Sequence, residues 1–276
     1  MIIIEPCAGL GNRLLALTSA YELSRKLNRK LVVIWKREAG CNICSGDLFT
    51  FTDMQVIDIS ENGFKNEPLA TLKGNGIKKK YRGMAERFVE CDEVENQKRE
   101  GGYEKVEQMV RGTQAIYIKS YTNLCEISAD SFAFLTPSHA VMERGKKVFD
   151  RISSETVGVH IRRTDHADAI ANSPLTLFVE RMKAEAQKED TSFYVTTDDA
   201  SVLEEIGKHF PQERLIVYED KVLDRDSAVG IQDAFVDMLC LSRCCKIIGS
   251  YRSTFSLIPS VMGGIPLEMV VEDSVE

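Results

Sequence analysis

Residues 156–161 read TVGVHI, residues 193–196 read FYVT, and residues 246–249 read KIIG. Each is a short β-rich run that ends in a polar cluster: RRTD at 162–165, TDD at 197–199 and SYRST at 250–254. Such runs read as strands, bounded by turn and cap residues. Leu215 to Tyr218 and Leu267 to Val271 have the same character. Helical stretches separate them. Pro174 to Ala186 follows Ser173 as cap, with Pro174 in the first turn. Asp199 to Phe210, Ile231 to Ser242 and Thr254 to Met262 are the others. Five strands alternating with helices predict a doubly wound α/β layer with a parallel sheet. In such sheets ligands sit at the carboxyl ends of the strands.

The first 35 residues predict the same unit. Ile2 to Glu5 is a strand, and Ala8-Gly9-Leu10-Gly11 a loop. Asn12 caps a helix whose apolar positions Leu14, Leu15, Leu17, Tyr21, Leu23 and Leu27 follow the helical period. Asn28 ends it, and Leu31 to Trp35 is a continuous apolar strand of the kind that parallel sheets bury. Residues 36–53 read as loop and Met54 to Ile59 as a strand. Residues 61–113 are charged and broken by glycines, which predicts irregular loops and short helices. The basic run Lys78-Lys79-Lys80 with Arg82 reads as a solvated face. Ala115 to Lys119 returns to strand character, and Ser138 to Ile152 to helix.

The chain has 276 residues, with 35 Lys and Arg against 42 Asp and Glu, a net charge of −7. That balance argues against nucleic acid or an anionic membrane as partner, since both reward a basic surface. Hydrophobic residues are 43%, enough for a buried core. The opening MIIIEPC lacks the basic start of a secretory signal, and Leu257 to Val271 is broken by Pro259, Gly263, Gly264 and Pro266. The expectation is a cytoplasmic protein without stable membrane insertion. The eight cysteines do not read as a disulfide scaffold in a chain of this length. Cys125, Cys240, Cys244 and Cys245 lie among apolar residues, as buried thiols do. Cys41-x-x-Cys44 has the spacing of a zinc or redox pair, with no second pair to match it.

The polar clusters carry the chemistry. Arg162 and Arg163 at a strand end suit an anion, because the guanidinium fork matches phosphate. A surface ion pair with Asp165 is the plainer reading. Asp198 or Asp199 can accept from a base or ribose, or cap the next helix. Ser253 and Thr254 open a helix, where N–H groups, hydroxyls and the helix dipole suit a phosphate, although a simple cap by Ser253 explains them too. Asp233 and Asp237 share a helix face that turns either to a nucleotide or to solvent. Gly9-Leu10-Gly11-Asn12-Arg13 lacks the third glycine of a dinucleotide loop, since Leu14 holds that place.

Three of these stretches together resemble the fucosyltransferase superfamily of GT-B fold, which includes nodulation-type and α1,6-, α1,2- and protein O-fucosyltransferases. They are GLGNRLLALTSAYELSRKLNRKLVVIW at 9–35, HIRRTD at 160–165, and Asp237 to Ser256 with its IIGSYRSTFS. YVTTDD at 194–199 resembles a further family stretch. The resemblance implies two Rossmann-like lobes with a donor-binding cleft between them. Residues 1–145 would form the acceptor-side lobe and residues 150–276 the nucleotide-sugar lobe. It implies a GDP-sugar donor, GDP-fucose first and GDP-mannose as the alternative, a glycan or lipid-linked acceptor, inversion at the sugar carbon, and no metal. A non-catalytic sugar-nucleotide-binding protein is the remaining alternative.

By the same resemblance Arg162 would stabilise the leaving phosphate, supported by Arg163 and Asp165. His160, Asp198, Asp199, Asp237, Ser253 and Thr254 would hold the donor, with Gly11, Asn12 and Arg13 nearby. In α1,6-type members a Lys follows the H-x-R-R-x-D motif and a Glu lies four residues further. Here His166 and Ile170 stand there, so the family base does not carry over. His166 and Asp168 are substitutes by position alone.

Overall fold

Ile2–Pro6 forms strand β1, and all five residues are buried. A run of isoleucines with no polar alternation offers no face to water, so it needs cover on both sides. Helix α1 (Leu10–Lys26) follows, and β2 (Leu31–Arg37) returns parallel to β1. A short strand β3 (Phe49–Phe51) precedes β4 (Gln55–Ser60), which lies parallel beside β2. Helix α2 (Pro68–Met84), β5 (Arg87–Val89), helix α3 (Cys91–Arg111) and β6 (Ile116–Ser120) complete the layer. The sheet order is β4-β2-β1-β6-β5, with every pair parallel. Strand β7 (Leu135–Pro137) pairs antiparallel with β3. Ile3, Val32, Ile34, Ile59, Tyr81 and Tyr117 pack one face.

A computed structural model describes residues 1–52, 54–60, 68–164 and 167–272. Met1–Ala140 with Asp224–Gln232 form one unit, and Val141–Leu223 with Asp233–Glu276 form another. The division expected at 145–150 therefore lies slightly earlier, within α4 (His139–Phe149). Residues 224–232 belong to the first unit, where the Asp226 carboxylate accepts from Gly40 N at 2.7 Å.

The second unit carries β8 (Thr156–Ile161), α5 (Ala167–Asn172), α6 (Leu175–Glu185), β9 (Ser192–Thr197) and α7 (Ala200–Gly207). Then come β10 (Leu215–Ile216), α8 (Ala228–Leu241), β11 (Lys246–Ser250), α9 (Thr254–Gly263) and β12 (Leu267–Val270). Its sheet runs β10-β9-β8-β11-β12, again all parallel. Chain order reverses direction at β8, so the topological switch point falls between β8 and β11. In the first sheet it falls between β1 and β6.

Several sequence expectations change in the structure. The stretch 61–113, expected to be irregular, holds two long helices among its described residues. Gly74 does not break α2: a Cβ there would lie 3.2 Å from Ile59 Cβ, so the glycine lets the helix approach β4. Only α3 is interrupted, at Gly101 and Gly102, where Gly102 has φ 63°. The basic run is not a solvated face throughout. Lys78 pairs with buried Glu5, and Arg82 lies 4.2 Å from the Phe88 ring centre.

Asn12 does not cap α1, because the helix starts at Leu10 after Gly9. Ser173 does not cap α6 either. Pro174 holds the cap position, while Ser173 Oγ donates to Val270 O and accepts from Tyr251 N. Cys240 and Cys244 are buried as expected, whereas Cys125 is half-buried and Cys245 exposed.

Gly249 on β11 sits under the first turn of α9. A Cβ there would fall 2.5 Å from Ser256 Oγ and 2.6 Å from its Cβ. Gly249→Ala should force α9 away from the sheet and destabilise by about 1–3 kcal/mol, the usual range for overpacking. A urea titration of the variant checks this, and an unchanged midpoint would contradict the close approach.

Candidate functional site

Strand β8 is buried throughout, so its first chance to expose a polar group is at its carboxyl end. There the backbone of Arg162 donates from N to Ser250 Oγ at 2.9 Å, and Ser250 Oγ donates to His160 O at 3.3 Å. One serine thus laces β8 to β11 at the switch point. From the end of β9, Asp198 reaches across. Its carboxylate accepts from Arg163 N at 2.7 Å, Thr164 Oγ1 at 2.6 Å and Thr164 N at 3.3 Å. It also pairs with Arg162 Nε at 3.1 Å. Burial alone would raise this carboxyl. The Thr164 hydroxyl, the Arg162 charge and the two N–H groups outweigh it and hold the pKa below the ordinary value. Asp198 therefore stays ionised and aims Arg162, whose side chain remains 16% exposed.

Arg163 turns the other way. Its guanidinium donates to Arg162 O at 2.8 Å and Ser173 O at 2.7 Å, and lies 5.8 Å from the Phe178 ring centre. It braces the turn that presents Arg162. Asp199 caps α7, accepting from Ser201 N at 2.9 Å and Ser201 Oγ at 2.8 Å. Of the two readings for this aspartate, the cap is the one seen.

His160 is 3% exposed, shares a hydrogen bond with Ser256 Oγ through Nδ1 at 2.8 Å, and stacks on Phe255 at 4.7 Å. Burial, reinforced by the charges of Arg162 and Lys221 and opposed by Asp198, pushes its imidazole down to about 3. The ring is neutral. His160, expected among the donor contacts, fixes the start of α9 through Ser256 and Phe255. Ser253 occupies the N-cap position of α9 without a side-chain cap, and Thr254 begins the helix. The first turn of a helix presents N–H groups that lack intrahelical acceptors. Arg252, just before it, is exposed at φ 50° and lies 5.0 Å from the Tyr251 ring centre.

Asp237, expected to hold the nucleotide, has a carboxylate bound by three partners of its own unit. It accepts from Tyr194 OH, from Thr196 Oγ1 at 2.7 Å and from Lys221 Nζ at 3.0 Å, and is 4% exposed. Asp233 is likewise buried and binds Arg144, Tyr218 and Val222 N. The shared face of α8 points into its unit, not to solvent. Lys221 carried no signal in sequence, since it stands alone in a loop with no period or motif. Ser250 and Thr164 lay inside the quoted motifs, but only the geometry gives them partners.

In the first unit, Gly11 and Asn12 lie in the first turn of α1. Arg13, expected near the donor, is 0% exposed. Its guanidinium donates to Ala8 O at 2.7 Å, Lys36 O at 2.6 Å and Glu38 Oε1 at 2.7 Å, over the Trp35 ring. It locks the β1–α1 turn to the end of β2, with Nε, Nη1 and Nη2 each donating one of these bonds. Asp168 is exposed on α5. Asp165 and His166 lie outside the described residues. Among the described residues no cluster of three or more metal-binding side chains occurs, and Cys41 and Cys44 are both raised in pKa by burial. No helix among them is long and apolar enough to cross a membrane.

No protein-family model matches the chain, and no curated protein matches it in sequence. Solved structures do match. A NodZ α-1,6-fucosyltransferase soaked with GDP-fucose is 18% identical, with TM-score 0.62, covering 95% of this chain and 92% of its own. Fucosyltransferase NodZ from Bradyrhizobium is 17% identical, with TM-score 0.60 over 95% and 93%. POFUT1 in complex with GDP is 14% identical, with TM-score 0.55 over 98% of each chain. The chain has the α/β, GT-B-like fold of these structures, with two Rossmann-like sheets.

Two outcomes follow from the buried groups. Arg13→Ala leaves the Ala8 and Lys36 carbonyls without their donor, while Glu38 keeps Lys36 at 2.7 Å, and should cost about 1–3 kcal/mol. Arg13→Lys should restore only part, since one ammonium cannot replace the fork. Denaturant midpoints of both variants test this. For His160, the folded pKa lies below the unfolded value near 6.5. Its contribution is complete above about pH 6.5 and drains as pH falls toward about 3, because only the unfolded state takes up the proton. Between pH 6.5 and 5 the loss should reach about 1.4 kcal/mol per pH unit. The pH dependence of the urea midpoint should be flatter in His160→Gln, and parallel curves would refute the assignment.

Proposed function

We propose that this protein transfers fucose from GDP-fucose to a glycan or related acceptor, with inversion and without a metal. The observation that carries the reading is Arg162, held by Asp198 at the carboxyl end of β8 beside the switch point. The fold is that of proteins crystallised with GDP or GDP-fucose, which makes a guanine-nucleotide sugar the natural donor class. Breaking a sugar–phosphate bond builds charge on the departing diphosphate. A fixed guanidinium placed where that charge develops lowers the barrier without reorganising. Ser253, Thr254 and the helix start behind them supply further donors of the same sign.

In this reading the second unit takes the donor and the first unit the acceptor. Arg163 and Asp198 position Arg162. Asp168, exposed on α5 a few residues after the arginines, is the base candidate within the described residues. A cytoplasmic site of action goes with it.

The test combines binding and turnover. A GDP-specific rise in thermal stability, equal in EDTA and in magnesium, is expected, and a hundredfold excess over Kd adds about 2.7 kcal/mol. Labelled fucose should pass from GDP-fucose to acceptor, and Arg162→Ala should slow transfer by about 10²–10³ while folding normally. A folded Arg162→Ala protein with wild-type transfer would remove the reading. GDP binding with no transfer to any acceptor would leave a sugar-nucleotide-binding protein, and transfer of mannose alone would change the donor. Asp168→Asn should depress kcat more than KM if the carboxylate takes the acceptor proton.

A further inference from the structure

Two cysteines meet in the first unit, and they are not the spaced pair the sequence offered. Cys7 follows β1 directly, and Cys91 opens α3, 84 residues later. Their sulfurs lie 3.6 Å apart in a thiol–thiol hydrogen bond, and both side chains are partly exposed. Neither place is free to drift. Cys7 N donates to Ser120 O at 3.0 Å, and Cys91 Sγ donates to Lys119 O at 3.4 Å. The Cys7 backbone and the Cys91 thiol are thereby both tied to the carboxyl end of β6, across the switch point of the first sheet.

We propose that Cys7 and Cys91 form an oxidation site whose substrate is a hydroperoxide and whose product is a disulfide joining the β1–α1 turn to the start of α3. Cys91 is the attacking thiol. It stands in the first turn of a helix, where the dipole favours an anion. The hydrogen bond from Cys7 leads the effects that lower its pKa, with burial opposing and the Tyr121 N–H and Lys119 assisting. Cys7 is raised, chiefly by that same bond and by burial, so it remains the thiol donor. Glu90 beside Cys91, Glu38 beside Cys7 and the Lys119 carbonyl that accepts the Cys91 S–H disfavour a thiolate there, but the Cys7 bond, the Tyr121 N–H and Lys119 outweigh them at Cys91, and the raised Tyr121 phenol is neutral.

The chemistry balances in two steps. The Cys91 thiolate attacks the O–O bond of the peroxide, forming an S–O bond and releasing hydroxide or alkoxide, which takes a proton. Sulfur is oxidised to sulfenic acid and the peroxide reduced. The Cys7 sulfur then attacks the sulfenic sulfur, giving up its proton, and water leaves as the S–S bond forms. Closing the contact needs a movement of about 1.5 Å. The pair Cys41 and Cys44 makes no comparable site, because burial raises both thiols.

The experiment uses the full wild-type chain. It is exposed to hydrogen peroxide, blocked with an alkylating agent and mapped by non-reducing peptide mass analysis. The first cross-link to accumulate should join the peptides of Cys7 and Cys91 and be reversed by dithiothreitol. Before oxidation, Cys91 should alkylate several-fold faster at neutral pH than exposed Cys245. In Cys7→Ser, Cys91 should stop at a sulfenic acid trapped by dimedone. Oxidation at Cys245 or elsewhere while Cys7 and Cys91 remain thiols would overturn the proposal, as would equal alkylation of Cys91 and Cys245. Both readouts come from the wild type, so a poorly folding variant does not decide the matter.

Discussion

A parallel sheet covered on both faces leaves polar side chains only the ends of its strands. In the second unit that constraint gathers Arg162, Asp198 and Ser250 at one edge. The Asp198 carboxylate is the centre of the arrangement. It is ionised because two backbone N–H groups, a hydroxyl and a guanidinium converge on it. It in turn fixes the turn after β8, and with it the direction of Arg162. Arg163 seals the same turn from below through carbonyls of residues 162 and 173. Arg163, Thr164 and Asp198 thus all hold the turn that carries Arg162.

The same economy operates elsewhere in the two sheets. Arg13 in the first unit and Asp237 in the second both looked like ligand contacts by position. Each is buried and bound by three partners within its own unit. A buried charge left unpaired is expensive, so partners close around it. His160 obeys the rule in its neutral form, tied to Ser256 and stacked on Phe255. These residues prepare the edges of the sheets, while the exposed part of Arg162 and the start of α9 face outward.

Between β1 and β6 of the first sheet, the corresponding edge holds Cys7 and Cys91 instead of an arginine. Here too the strand ends deliver side chains to a common point, and the helix start of α3 adds its dipole. The two switch points of one chain thus carry different side chains: an arginine held by a carboxylate in one unit, two thiols in the other.

Much of this is legible in the sequence. Strand β8 has the bounds read from TVGVHI, and the β-rich run with helices between it is local information, set by period and by caps such as Asp199. Helices α2 and α3 were not legible, because glycines that usually break helices serve here for close packing against β4 or as a single interruption. Arg162 is singled out from the sequence by its strand-end position and by the family resemblance, since by position alone two arginines there also suit a surface ion pair. Lys221 cannot be, and neither can the meeting of Cys7 with Cys91. By itself the sequence determined the alternating elements and where polar clusters would emerge from them, because both follow from neighbours along the chain. Tertiary structure alone decided which charges are spent and which are offered, because a buried group's partners come from distant strands and desolvation makes those partners obligatory.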